Sequence, residues 1–155
     1  MGKERTDEII SFARDIRKSW GNNAIAIAER CGFTVILNKS ARAGAKTIKL
    51  AGYPTVISIY GCGDINEYQV LCAHELGHAL LHEDGVNNFK GSYKTIIDNT
   101  EYEANLFAVA LLFDDDDFNM PISRMSNYLL KGILDYNIKN PDLIYAGQVL
   151  VIPAA

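Results

Sequence analysis

The stretch from Val70 to His82 holds an H-E-x-x-H pattern inside an apolar run, and this pattern constrains the chain more than any other. Residues four apart lie on one face of an α-helix, with their β-carbons about 5–6 Å apart. His74 and His78 can therefore bind one metal ion while Glu75 points into the same cleft. In such sites two neutral imidazoles hold zinc, the metal acidifies a water molecule, and a carboxylate accepts the proton. The alternative is a chance match on a buried helix whose histidines hydrogen-bond to the backbone.

The composition predicts a globular protein of one domain, or of one domain with a small appendage. The chain has 155 residues, of which 48% are hydrophobic and 22% are charged. A chain of this length can bury a core without disulfide bonds. The net charge of −4 and the lack of a basic stripe argue against direct binding of nucleic acid.

The cysteines and the N-terminal segment predict a cytoplasmic protein. Cys31, Cys62 and Cys72 are odd in number and show no C-x-x-C spacing, which is typical of a reducing compartment. The charged N-terminal segment is not followed by an apolar stretch, so we predict no signal peptide. No apolar run reaches the roughly 18 residues of a membrane span, so we expect no membrane association.

The order of the predicted elements is helices, then short strands, then helices, which favours an α+β fold. We expect a small antiparallel or mixed sheet packed on the motif helix and on a second helix that carries a glutamate. Helices are predicted at Asp7–Lys18, Ala24–Cys31, Ile65–His82, Asp98–Phe113 and Pro121–Tyr136, and strands at Phe33–Leu37, Thr47–Leu50, Thr55–Tyr60 and Val149–Ile152. Residues 1–120 would form the main domain, with residues 121–155 as an extension packed on it.

Two histidines do not complete a catalytic zinc site, which usually takes three protein ligands and keeps one position for water. A third histidine would extend the pattern to H-E-x-x-H-x-x-G-x-x-H, but Leu81 and Asp84 stand at its glycine and last histidine positions. The remaining option is a glutamate from the next helix, and Glu101 and Glu103 are the two candidates.

Glu101 is the better candidate, because Asn105 lies four residues further on the same stripe and could orient a ligating histidine. Glu103 shares its stripe with apolar residues such as Phe107, and it would be a costly buried charge unless it were paired. A simpler role remains open for Glu101, since it could close a capping box with Asp98 at the start of the helix.

His82 is the third histidine of the chain, four residues beyond His78 on the same helix face. It could line the cleft and stabilise a transition-state oxyanion. Alternatively, it lies at the end of the helix and interacts with the helix dipole.

Two segments, Cys72–His82 and Glu101–Ala108, resemble the ImmA/IrrE family of small zinc metallopeptidases. The likeness extends over about residues 20 to 120 and includes the paired leucines Leu111-Leu112. In the family a Met-Pro pair commonly follows these leucines, but here Met120-Pro121 comes later.

This resemblance implies a gluzincin-like, or zincin-like, fold with one Zn²⁺ ion. It implies that His74, His78 and Glu101 are the zinc ligands and that Glu75 is the general base. It also implies an intracellular endopeptidase with a single protein substrate, such as a helix-turn-helix transcriptional repressor of a phage or mobile element.

Residues 140–153 resemble the second half of a LysM repeat, which is a glycan-binding module. The first half of the repeat is not evident upstream, and no signal peptide is predicted, so we interpret this segment as a turn, a short helix and a strand that close the domain. Two rival functions remain at this point: a zinc-containing binding module without catalysis, and a hydrolase associated with peptidoglycan.

Overall fold

The protein has an α+β fold, as predicted, in a computed structural model that describes residues 2–82 and 94–139. Within these residues, five α-helices accompany one three-stranded sheet and two one-turn 3-10 helices at Asp115–Asp117 and Ile122–Arg124. In chain order the main elements are α1 (Lys3–Trp20), α2 (Ala24–Arg30), β1 (Thr34–Lys39), β2 (Gly44–Ile48), β3 (Val56–Gly61), α3 (Ile65–Leu81), α4 (Lys94–Leu112) and α5 (Asn127–Lys139).

The sheet is mixed, with β3 between β1 and β2. β3 pairs in parallel with β1, where Thr34 lies opposite Val56, and antiparallel with β2, where Gly44 lies opposite Tyr60. Residues 57–59 of β3 are all buried, as expected for the central strand of a sheet. β2 is consequently an edge strand that packs against α3.

Helix α3, which carries the H-E-x-x-H pattern, is the central element of the domain. It packs against β2, β3, α2, α4 and α5. Asp64 caps its N-terminus by accepting a hydrogen bond from the backbone N–H of Asn66 at 2.8 Å. Helix α4 is enclosed as well, since every residue from Ala104 to Leu111 is buried. Helix α4 therefore forms part of the core.

Gly77 brings α3 and α4 unusually close together. A β-carbon built on Gly77 would lie 3.0 Å from the Cα atom of Ala104 and 3.2 Å from the Cβ atom of Phe107. Only a residue without a side chain fits this contact. The glycine within the H-E-x-x-H pattern is therefore explained by the packing of the two helices.

Several predicted boundaries were wrong, including the start of α1, which lies at Lys3 and not at Asp7. Helix α4 begins at Lys94, so Asp98 lies inside the helix and cannot form an N-terminal capping box with Glu101. Helix α5 begins at Asn127, because Pro121 precedes a separate one-turn 3-10 helix and the hydroxyl of Ser126 accepts a hydrogen bond at the start of α5. Strand β2 occupies Gly44–Ile48 and not Thr47–Leu50, because its pairing with β3 sets its ends.

The expected turn, short helix and last strand of residues 140–153 lie outside the described residues. Among the helices of the described ranges, none combines the length and the apolar character needed to cross a membrane.

Replacing Gly77 with alanine should destabilise the protein by about 1–3 kcal/mol, because the new methyl group meets the backbone of Ala104. Gly132 in α5 is the matched control, since a β-carbon there has no neighbour within 4 Å. Gly132→Ala should stabilise the protein by about 0.5–1 kcal/mol through helix propensity. Urea unfolding gives both free energies, and equal effects of the two substitutions would contradict the close packing.

Candidate metal centre

Three residues singled out by the sequence, His74, His78 and Glu101, come together between α3 and α4. One ligand atom from each lies within 4.8 Å of the other two. The Nε2 atom of His74 is 3.2 Å from Oε1 of Glu101, and the Nε2 atom of His78 is 2.8 Å from Oε2 of the same carboxylate. The two imidazoles therefore face one carboxylate from adjacent turns of α3.

This donor set fits a divalent metal ion. Two imidazole nitrogens and a carboxylate oxygen are typical zinc ligands, with bonds of about 2.0–2.2 Å. A bound ion would take the place of the hydrogen bonds that join Glu101 to the two rings. The Glu101 side chain is 45% exposed, against 20% for His74, so the cluster opens to solvent on the side of α4. An open side of this kind leaves room for water and for a substrate.

The cluster shifts the pKa values of its own members. Hydrogen bonds from His74 and then from His78 hold the pKa of Glu101 well below its usual range. Burial lowers the pKa of His74, but its hydrogen bond with Glu101 and the negative charge of Glu75 outweigh burial, so the net shift is upward. The site therefore keeps a carboxylate ionised next to imidazoles.

The Glu75 carboxylate lies beside this cluster and is held by the sheet. Its Oε2 atom is 3.9 Å from Nε2 of His74, and its Oε1 atom accepts a hydrogen bond from the Thr47 hydroxyl at 2.7 Å. Glu75 is buried, so this hydrogen bond fixes the direction of the carboxylate. Sequence analysis missed Thr47, because nothing in the pattern of β2 distinguishes it from other strand residues.

Asn105 contacts His74, the histidine beside Glu101. Its side chain hydrogen-bonds to His74 and thereby raises the pKa of that imidazole. The Nδ2 atom of Asn105 in turn donates to Oδ1 of Asn127 at 2.7 Å. The ring of His74 is thus linked to the first residue of α5.

His82 and Glu103 lie next to the cluster but are not part of it. The Nδ1 atom of His82 is 3.2 Å from Nδ1 of His78, and its Nε2 atom is 3.0 Å from Oε1 of Glu103. Burial lowers the pKa of His82. Burial alone would raise the pKa of Glu103, but hydrogen bonds from Arg5 and His82 reverse that effect. Glu103 is therefore a half-buried charge that is paired, as its apolar stripe requires.

A cleft of about 160 Å³ opens beside His74 and Glu101. Val70, Leu71 and Leu134 supply apolar surface to the cleft. The other lining residues include Lys131 and Asp135, whose charged groups are 2.8 Å apart. The candidate metal centre therefore borders a recess that could accept part of a peptide.

Affinity for zinc should rise with pH, because a proton on His74 competes with the metal. The pKa of His74 is raised above the ordinary value of 6.5, so affinity begins to fall at a higher pH than for a free histidine. We expect zinc affinity to rise by up to about tenfold per pH unit for each proton that metal binding releases. Competition with a chelator between about pH 6 and 8, corrected for protonation of the chelator, measures the effect. Affinity that is constant across this range would contradict the assignment.

The resemblance to the ImmA/IrrE family is confirmed by comparison with protein families. The family model described as Peptidase_M78, IrrE N-terminal-like domain, matches residues 28–136. Comparison with curated proteins and with solved structures gives no match. The match spans α3 and α4 with all the residues of the candidate metal centre, and it covers well over half of the chain. The chain therefore belongs to the Peptidase_M78 family of metallopeptidases.

Proposed function

We propose that this protein is a zinc-dependent endopeptidase that cleaves a regulatory protein in the cytoplasm. The observation that carries the proposal is the convergence of His74, His78 and Glu101 on one point, with the carboxylate of Glu75 beside them. His74, His78 and Glu101 would hold one Zn²⁺ ion. Neither His82 nor Glu103 joins this cluster, which favours a site with a free position over a closed structural site.

The zinc ion, when bound, would polarise the peptide carbonyl and make water more acidic. Glu75 is the general base that accepts a proton from the attacking water and then delivers it to the nitrogen of the leaving amine. The Thr47 hydroxyl, 2.7 Å from Oε1 of Glu75, holds this carboxylate in place and leaves its other oxygen near His74. Asn105 orients His74 from the side of α4.

A protein substrate follows from membership of a peptidase family. The finer identification, a helix-turn-helix repressor of a phage or mobile element, is supported by the resemblance of Cys72–His82 and Glu101–Ala108 to the ImmA/IrrE family. The net charge of −4 supports action on the repressor itself and not on DNA. We treat the segment at residues 140–153 as structural and propose no glycan ligand for it.

Metal content tests the proposed ligands. Wild type should contain about one zinc per chain after reconstitution, and Glu101→Ala should lose most of it because two imidazoles alone hold zinc weakly. Asp135→Ala is the control, since Asp135 is a carboxylate of the same cleft that pairs with Lys131. Elemental analysis distinguishes the cases. A wild type without zinc, or a Glu101→Ala variant with full zinc content, would refute the site.

Replacement of Glu75 with glutamine should leave zinc bound and slow cleavage by about 10²–10⁴-fold, because the amide cannot accept the proton. The measurement is a comparison of new protein N-termini, by mass spectrometry, in cells that express wild type or Glu75→Gln. We expect cleavage of a repressor at one site in the wild-type sample only. The same N-termini at the same abundance in both samples would rule out Glu75 as the base.

A further inference from the structure

Within residues 2–82 and 94–139, the Nδ1 atom of His78 meets no carboxylate and no backbone carbonyl, which are the usual partners of a metal-binding histidine. Its Nε2 atom faces Glu101 at 2.8 Å, so the Nδ1 atom points away from the candidate metal centre. That Nδ1 atom is 3.2 Å from Nδ1 of His82. A second imidazole therefore occupies the position that normally sets the tautomer of a ligating histidine.

The hydrogen-bond chain that starts at His78 has only one consistent direction when a metal is bound. Nε2 of His78 must then offer its lone pair, so the proton of that ring lies on Nδ1. Nδ1 of His82 must accept this proton's hydrogen bond, which puts the proton of His82 on Nε2. The His82 Nε2–H group donates to Oε1 of Glu103 at 3.0 Å. The carboxylate at the end of the chain thus selects the tautomer of both rings.

Glu103 is fixed by a guanidinium group from the first helix. Arg5 in α1 donates from Nε to Oε2 and from Nη2 to Oε1 of Glu103, each at 3.1 Å. Such a two-point contact fixes both the position and the plane of a carboxylate. The side chain of Glu103 is 13% exposed, so water competes little for its oxygens.

The backbone of His82 is also held on both sides. Its N–H group donates to the carbonyl of His78 at 3.0 Å, and its own carbonyl accepts from the ammonium group of Lys49. His82 ends α3 in an extended conformation, so the helix itself does not determine where the ring points. The ring is positioned by the hydrogen bonds of its two nitrogens, one with His78 and the other with Glu103.

We propose that His82 is a positioning residue of the metal centre. Together with Glu103 and Arg5 it holds His78 in the tautomer and orientation that bind zinc, and it does not bind the metal itself. The inference rests on the proposed zinc site. This role of His82 differs from the two roles considered from the sequence, which were lining the cleft and interacting with the helix dipole.

Zinc affinity, measured by competition with a chromophoric chelator, tests this role through two substitutions of one residue. His82→Leu removes both hydrogen bonds and should weaken zinc binding by about 10–100-fold. His82→Gln offers an acceptor oxygen and a donor nitrogen, so it should restore affinity close to that of wild type. The metal-free forms of all three proteins should melt at similar temperatures. His82→Leu with wild-type affinity, or His82→Gln as weak as His82→Leu, would overturn the proposal.

A second pair of variants applies if His82→Leu does not fold. Arg5→Met should weaken zinc binding, because Glu103 loses its anchor. Arg17→Met should not, since Arg17 lies on the same helix but pairs with Asp114. Equal affinities of the two variants would overturn the proposal. A wild type that binds no zinc would instead refute the proposed function, so the two failures are distinguishable.

Discussion

The close contact of α3 with α4 is the constraint on which the rest of the structure depends. The candidate ligands come from both helices, and they lie within about one turn of the point where Gly77 meets Ala104. A larger residue at either position would move the helices apart and carry Glu101 away from the two histidines. Metal binding across this contact would couple the site to the stability of the fold, because an ion held by both helices also holds them together.

The site has to accommodate ionisable groups inside the most apolar part of the protein. Helix α4 is buried over residues 104–111, and the middle of α3 is buried on most sides. A charged group in such surroundings is costly unless it is paired. Glu75 has Thr47, and Glu103 has Arg5 and His82. Each partner lies on a different element from the carboxylate that it contacts, so helices and sheet together stabilise the charges of the site.

The sequence was most informative where a function depends on spacing within one helix. The beginning of α3 at Ile65 and the α+β class were predicted correctly. Spacing selected His74 and His78 and reduced the third candidate to Glu101 or Glu103, and the structure brings Glu101 to the two histidines. The partners of the neighbouring carboxylates were not predicted, because they are distant along the chain: Thr47 is 28 residues from Glu75, and Arg5 is 98 residues from Glu103. Such contacts depend on how helices and strands pack, which local patterns do not encode. The metal and the catalytic roles themselves remain predictions.

Helix α1 lies before the family match, which begins at residue 28, yet it supports the core of the matched region. The ring of Phe12 packs at a tilt against that of Phe107 with centroids 5.9 Å apart, and the Nε–H group of Arg14 donates to the backbone carbonyl of Ala110 at 3.0 Å. A fragment trimmed to residues 28–136 would keep every candidate ligand but would uncover one side of α4 and leave Glu103 without Arg5. The boundary of the family match and the boundary of the packed core are therefore different, and a recombinant fragment that keeps these contacts has to include Arg5 and the rest of α1.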